Sequence, residues 1–295
     1  MRFLEKNWLV VLSIWIIFFI TAVTIKLVFL SSVPEDTFSM EEVMLGFLQN
    51  DSRLLKYIHS NEAYPPPPSP GVFMNASIIY KPRIRDRVTR DVIKILNKKN
   101  NGVFVECRAF EGDLLSKTLD LELYYNWTGI LMEPDPTLFP KLIAKRRNAW
   151  LLNACLSPDP TPHNLDFLRK ISKSSMNNSS QSDQDAMMPD RKSTYRDGKG
   201  HVWRKLRIPC FPLFSVTSAL QVYTIDYLIL DAQGLELQIL LNIPWNDLKI
   251  HVILVNVQSI PEGPSGVKFF MHSKGFTLIS STGHFYMFAN ENFNP

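Results

Sequence analysis

From about Gly71 onward, apolar positions along the chain switch between helical spacing and short unbroken runs. The segment "DRVTRDVIKILNK" predicts a helix, and "GVFVEC", β-branched and aromatic, predicts a buried strand. "DLLSKTLDLELYY" is again helical, "TGILMEP" a strand, "DPTLFPKLIAKRR" a helix opened by Asp-Pro, and "AWLLNACL" a third strand. After a polar interval, "PLFSVTSALQVY" reads as helix, "IDYLILDA" as strand, "LELQILLNI" as helix and "KIHVILVNV" as strand. The chain closes with "GVKFFMHSKG", a helix with a glycine stop, and "FTLISSTGHFYMFAN", two strands about a Thr-Gly turn. Strands separated by helices of about 10 to 15 residues argue for a parallel sheet covered on both faces. The expected fold class is α/β: a Rossmann-like, doubly wound, mostly parallel sheet with an antiparallel C-terminal strand at its edge, the outline of a methyltransferase fold.

Two regions break this rhythm. Residues 159–201 include "SKSSMNNSSQSDQDAMMPDRKSTYRDGKG", too poor in apolar side chains to offset the entropy of ordering, and read as a polar insertion. At the N-terminus, Trp8 to Ile25 carries no charge and the apolar character continues to Leu30. About 20 such residues cross a bilayer core as a helix, so residues 8–30 are expected to be a transmembrane signal anchor; the alternative, a cleaved signal peptide, would have a shorter apolar region and a small-residue cleavage site. Arg2 and Lys6 precede the run, and Glu35, Asp36, Glu41 and Glu42 follow it. A type II topology follows, with residues 1–7 as a cytosolic stub and the rest luminal. Residues 31–70, ending in "AYPPPPSP", are expected to be a stiff proline-rich stalk, and residues 71–295 the luminal domain.

Composition supports that placement and narrows the chemistry. Glycan acceptor tripeptides begin at Asn75, Asn126, Asn177 and Asn178. Of the three cysteines, Cys155 ends the third strand and Cys210 precedes the helix leading to the fourth, so a Cys155–Cys210 disulfide would tie together the ends of the polar insertion, leaving Cys107 free. The net charge of +4 and short basic runs such as "KPRIRDR" and "AKRRN", read as a solvated linker and a helix end, argue against a nucleic-acid partner. No His/Cys spacing suggests a metal site, and neither GxxxxGK nor GxSxG occurs.

The ordered blocks "VFVECRAFEGDLLSKTLDLE", "WTGILMEPDP", "WLLNACLSP", "IDYLILDAQGLELQILLNIPW" and "VILVNV" resemble the FkbM-type methyltransferase domain, and most closely the membrane-anchored insect proteins of the Star family, over roughly Asp86 to Asn290. The resemblance implies that the loop after the first strand binds S-adenosylmethionine. Glu106, Ala109, Glu111 and Gly112 match the family's pattern there, but Arg108 stands in place of glycine. Glu133 matches the acid that would accept the ribose hydroxyls; it could equally cap the helix that follows. Asp231 and Glu236 are retained as candidates for chemistry near the acceptor, whereas Gln233 and Asn256 replace acids. Arg108 is expected to obstruct the cofactor; pairing with the cofactor's carboxylate is the alternative.

The resemblance therefore implies a non-catalytic Star-like membrane protein without a cofactor. Such a protein would act at endoplasmic reticulum, Golgi and endosomal membranes, assisting export of membrane-bound growth-factor precursors. The alternative is an S-adenosylmethionine-dependent O-methyltransferase acting on a luminal glycan or protein.

Overall fold

The computed structural model describes residues 15–21, 38–68, 87–113, 115–171, 194–196, 198 and 202–293. The chain divides into two units, Met1–Ser39 and Met40–Pro295. Of the apolar segment 8–30, residues 15–21 are described and helical, and the remainder lies outside the described residues. Among the described residues no helix is long and apolar enough to cross a membrane.

The second unit is built on an eight-stranded sheet in the order β1-β4-β3-β2-β9-β10-β12-β11. These are β1 (Ala63–Tyr64), β2 (Val103–Cys107), β3 (Thr128–Met132), β4 (Ala149–Leu152), β9 (Thr224–Leu230), β10 (Lys249–Asn256), β11 (Phe276–Thr282) and β12 (Phe285–Asn290). Strands β4, β3, β2, β9 and β10 are parallel. Their unbroken apolar runs reflect burial on both faces: Phe104, Val105, Ile130, Leu228, Val252 and Ile253 are all fully buried. Gly129 lies so close to β2 that a Cβ there would sit 1.9 Å from the Phe104 carbonyl oxygen, which fixes a glycine at that register position. Strand order reverses between β2 and β9, so the crevice beyond the C-terminal ends of these strands is where an open α/β sheet holds its ligand.

Several sequence expectations need correction. The C-terminal strand β12 is antiparallel to β10, but it is internal; β11 takes that edge and β1 the other. The helix expected over 113–125 is confined to Leu119–Tyr125, because the preceding residues are held in a turn by side-chain bonds. "AWLLNACL" is split at Asn153: Ala149–Leu152 belongs to the main sheet, and β5 (Cys155–Leu156) to a second one. That four-stranded sheet runs β5-β8-β6, with β8 (Val202–Phe211), β6 (His163–Ile171) and β7 (Thr194–Arg196) paired to β8. Both flanks of the segment read as a polar insertion are therefore strands; residues 172–193 lie outside the described residues. Cys155 and Cys210 face one another in the β5–β8 register and are joined by a disulfide, 55 residues apart in sequence.

The domain also begins earlier than the stalk reading places it. Short helices at Met40–Val43 and Ser52–Tyr57 bury Val43 and Leu54 completely, and Asp51 caps the second by accepting from the Arg53 N–H at 2.9 Å. A single π-helical turn, Ile58–Glu62, leads into β1, which pairs antiparallel with β4. The prolines from Pro65 end that strand because they have no N–H to donate. A fragment starting at Gly71 would lose an edge strand and part of the core.

Candidate functional site

Three loops meet beyond the reversal point: residues 108–112 after β2, Glu133 to Asp135 after β3, and Asp231 to Leu235 after β9. Arg108 has φ 67°, a left-handed conformation that costs a non-glycine residue about 1–2 kcal/mol. What holds it there is a hydrogen-bonded cluster. Its Nη1 lies 3.2 Å from both Asp231 carboxylate oxygens. The Gln233 carboxamide, assigned from its surroundings with the oxygen towards the guanidinium, accepts from Nη1 at 3.2 Å and Nη2 at 3.0 Å. Asn256 Nδ2 donates to Asp231 Oδ1 at 3.0 Å, and the guanidinium lies 4.8 Å from the Phe110 ring centre.

Arg108, Gln233 and Asn256, the three departures from the family pattern, thus form one network around Asp231. An acid at 256 would face the Asp231 carboxylate at hydrogen-bond distance, whereas an amide donates to it. One arginine and one aspartate leave the cluster neutral. The guanidinium also lines two cavities. One, of about 420 Å³, is walled chiefly by apolar residues, including Pro134, Leu156, Leu165, Phe167 and Leu235. The other, of about 230 Å³, is lined by Lys117, Asn256, Gln258 and Phe285 among others.

The retained acids are committed to backbone. Glu133 is 2% exposed; its Oε2 accepts the Phe110 N–H at 2.7 Å and its Oε1 the Asp135 N–H at 2.9 Å. Burial pushes its pKa up to about 7, with Asp135 adding to the rise against these two bonds and Arg108. Glu106 accepts the Lys117 N–H at 2.7 Å and the hydroxyls of Ser116 and Thr118 at 2.7 and 2.6 Å, fixing the 112–118 turn. Burial raises its pKa, opposed by those donors and Arg147. Glu236 folds back on its own loop, accepting from the Ala232 and Gly234 N–H groups at 2.8 Å each. It therefore staples a turn and does not face the crevice as a base. Glu111 forms a surface ion pair with Lys141 at 2.6 Å. Ala109 is buried, its N–H bonded to the Met132 carbonyl. Gly112 has φ 77°, and its carbonyl accepts from Arg147, so the turn itself requires it. Cys107 is buried, and burial with nearby Asp231, Glu133 and Glu236 pushes its thiol up to about 12, leaving it inert.

Two sets of residues escaped the sequence reading. Arg147, in the "AKRRN" run taken as a solvated helix end, is fully buried and binds Glu122, the Gly112 carbonyl and Thr118. At the opposite pole of the sheet, Asp226 binds Lys99 at 2.7 Å, the Val103 N–H at 2.9 Å and His251 Nδ1 at 2.9 Å. Spacing gives no sign of either, since the partners are 25 to 127 residues apart. Among the described residues no group of three or more His, Cys, Asp or Glu could hold a metal ion. Asn126 is exposed at the left-handed cap of helix Leu119–Tyr125; Asn75, Asn177 and Asn178 lie outside the described residues.

Residues 104–278 match the methyltransferase FkbM domain. The chain belongs to the FkbM methyltransferase domain family. No curated protein matches it. Among solved structures, precorrin-6y C5,15-methyltransferase from Geobacter metallireducens GS-15 is similar at 12% identity and a TM-score of 0.35, over 74% of this chain and 91% of that one.

The FkbM family implies S-adenosylmethionine, and the loop after β2 that would receive it carries Arg108 where the family pattern has glycine. The Arg108 side chain occupies the turn where glycine would let the cofactor approach the backbone.

The Glu133 carboxyl predicts a pH effect on stability. Its folded pKa, about 7, lies above its ordinary 4.5, so between these values the folded chain holds a proton that the unfolded chain has lost. This contribution is fully present below pH 4.5 and lost as pH rises to 7, by about 3 kcal/mol at roughly 1.4 kcal/mol per unit. Glu106 and Glu236 are displaced in the same direction by burial. Asp226 is opposed by burial, but bonds from His251 and Lys99 hold it below 3.8, outside this window. Urea denaturation at pH 5 and pH 7.5 should show greater stability at pH 5, and Glu133→Gln should shrink the difference.

Proposed function

We propose that this chain is a membrane-anchored binding protein in which a methyltransferase fold has been closed to its cofactor and retained as a scaffold. The observation that carries this reading is the Arg108–Asp231–Gln233–Asn256 network at the point where strand order reverses. A guanidinium held by one carboxylate and one amide there is an arrangement built to keep the arginine in place.

The finer reading is a Star-like role: assisting export of membrane-bound growth-factor precursors from the endoplasmic reticulum towards the Golgi. Its support is the resemblance of the ordered sequence blocks, the apolar segment from Trp8 to Leu30 and the acceptor sites at Asn75, Asn126, Asn177 and Asn178. Expression in secretory cells is expected to give a product that resists alkaline carbonate extraction and loses mass when glycans are removed enzymatically. A soluble secreted product, or one with no glycan at any of these sites, would contradict the topology. Slower export of a precursor in cells depleted of the chain would support the trafficking role, and unchanged export would count against it.

A second reading, an O-methyltransferase acting on a luminal glycan or protein, is favoured by one observation: cavities of about 420 and 230 Å³ remain on the sides of Arg108. In that reading Glu106, Gly112 and Glu133 would hold the cofactor, and Asp231 would face the acceptor.

A further inference from the structure

The cavity of about 420 Å³ beside Arg108 is walled by both sheets of the Met40–Pro295 unit. Pro134 and Leu235 come from the loops after β3 and β9, whereas Leu156 belongs to β5 and Leu165 and Phe167 to β6. In "NLDFL" the two β6 residues stand two apart and so share a strand face. Asp166 between them is exposed and pairs with Lys205 at 2.8 Å. The Cys155–Cys210 bridge ties β5, and with it Leu156, to β8, which is paired with β6 along its length. This wall is therefore fixed by sheet pairing and a covalent bond. Leu165, Phe167 and Leu235 are each half-buried, so they present apolar surface to the space they line. Small-molecule sites of about 300–1,000 Å³ have this composition: apolar walls with a few convergent polar groups.

The charged groups on the lining set the class of ligand. Arg108 and Asp231 neutralise one another at 3.2 Å, as Lys205 and Asp166 do at 2.8 Å. An entering anion would meet the Asp231 carboxylate and a cation the guanidinium, each giving up hydration for no unpaired counter-charge. An uncharged oxygen meets no such conflict. The bonds to Asp231 and Gln233 engage Nη1 and one hydrogen of Nη2; among the described residues, Nε and the other Nη2 hydrogen have no acceptor. We infer that this cavity binds an uncharged amphiphile of the long-chain alcohol or ester class, its hydrocarbon against Leu156, Leu165, Phe167 and Leu235 and its oxygen accepting from Arg108. The arginine that closes the turn then also supplies the donor that orients the ligand.

The inference rests on the binding-protein reading, and the test separates the two. Purified full chain is irradiated with a diazirine-bearing decanol, and the adducts are located by peptide mass spectrometry. Adducts are expected on the peptides carrying Leu156, Leu165, Phe167 and Leu235. Leu165→Trp, which fills the cavity, should cut this labelling by about fivefold or more, with an intact Cys155–Cys210 bridge in non-reducing maps as the check on folding. Should that variant lose its bridge, Leu235→Trp fills the same space from the other wall and decides the matter. Decanol should displace the probe about tenfold better than decanoate or decylamine. Labelling that the filled variants leave unchanged would overturn the site, and equal displacement by either charged analogue would overturn the ligand class. Absent labelling in a chain that also binds no S-adenosylmethionine would overturn the cavity assignment and leave the binding-protein reading standing. Saturable S-adenosylmethionine binding that leaves the labelling unchanged would overturn that reading while supporting the cavity as a separate site. Labelling that S-adenosylmethionine abolishes would overturn both.

Discussion

Replacing Arg147 with alanine is expected to destabilise the Met40–Pro295 domain by about 3–5 kcal/mol, the range for breaking a buried ion pair from one side. The arginine is fully buried and its partner Glu122 nearly so, at a separation of 2.6 Å. Truncation leaves the Glu122 carboxylate in a low-dielectric interior with the Asn148 N–H as its remaining donor from this cluster. It also strips donors from the Gly112 carbonyl and the Thr118 hydroxyl, and removes a cation that favours the ionised form of Glu106. The urea midpoint should fall by roughly 1–2 M for a domain whose slope is about 2–3 kcal/mol per molar. The double variant Arg147→Met with Glu122→Gln should recover a large part of the loss, because removing both charges leaves neither uncompensated. Equal loss in the double variant would mean that packing, and not charge, explains the site.

Arg108→Gly is expected to raise affinity for S-adenosylmethionine from undetectable to measurable, a gain of at least about tenfold, or 1.4 kcal/mol. The substitution removes a side chain that lines both cavities and places glycine at φ 67°, where a residue without a Cβ is unstrained. Glu133 keeps a second lone pair on each oxygen for ribose hydroxyls. Gln233→Glu alone should not restore binding, since it adds a second carboxylate to the guanidinium and strengthens the obstruction.

How much of this was legible in the sequence depended on the range of the interactions. The parallel strands β2, β3, β9 and β10 announce themselves as unbroken apolar runs, because burial on both faces is written into consecutive residues. Residues 40–64 were hidden: their short helices are held by distant groups, such as Ser215 on Gln49, and the prolines that follow suggest a stalk. Arg147 sits among basic residues that look solvated, and its partners lie 25 to 35 positions away. Arg108, Gln233 and Asn256 were each visible as a departure from the family pattern. Their contact was not, since it is made by the meeting of three strand ends that are far apart in the chain.

The most direct test of the closed-crevice account is calorimetric titration of S-adenosylmethionine into the unmodified Met40–Pro295 domain, alongside Arg108→Gly and Arg108→Ala. The account predicts no binding heat for the unmodified domain and a saturable isotherm for Arg108→Gly. Tight binding by the unmodified domain that Arg108→Ala abolishes would make the arginine a cofactor ligand, and the chain would then be read as an enzyme.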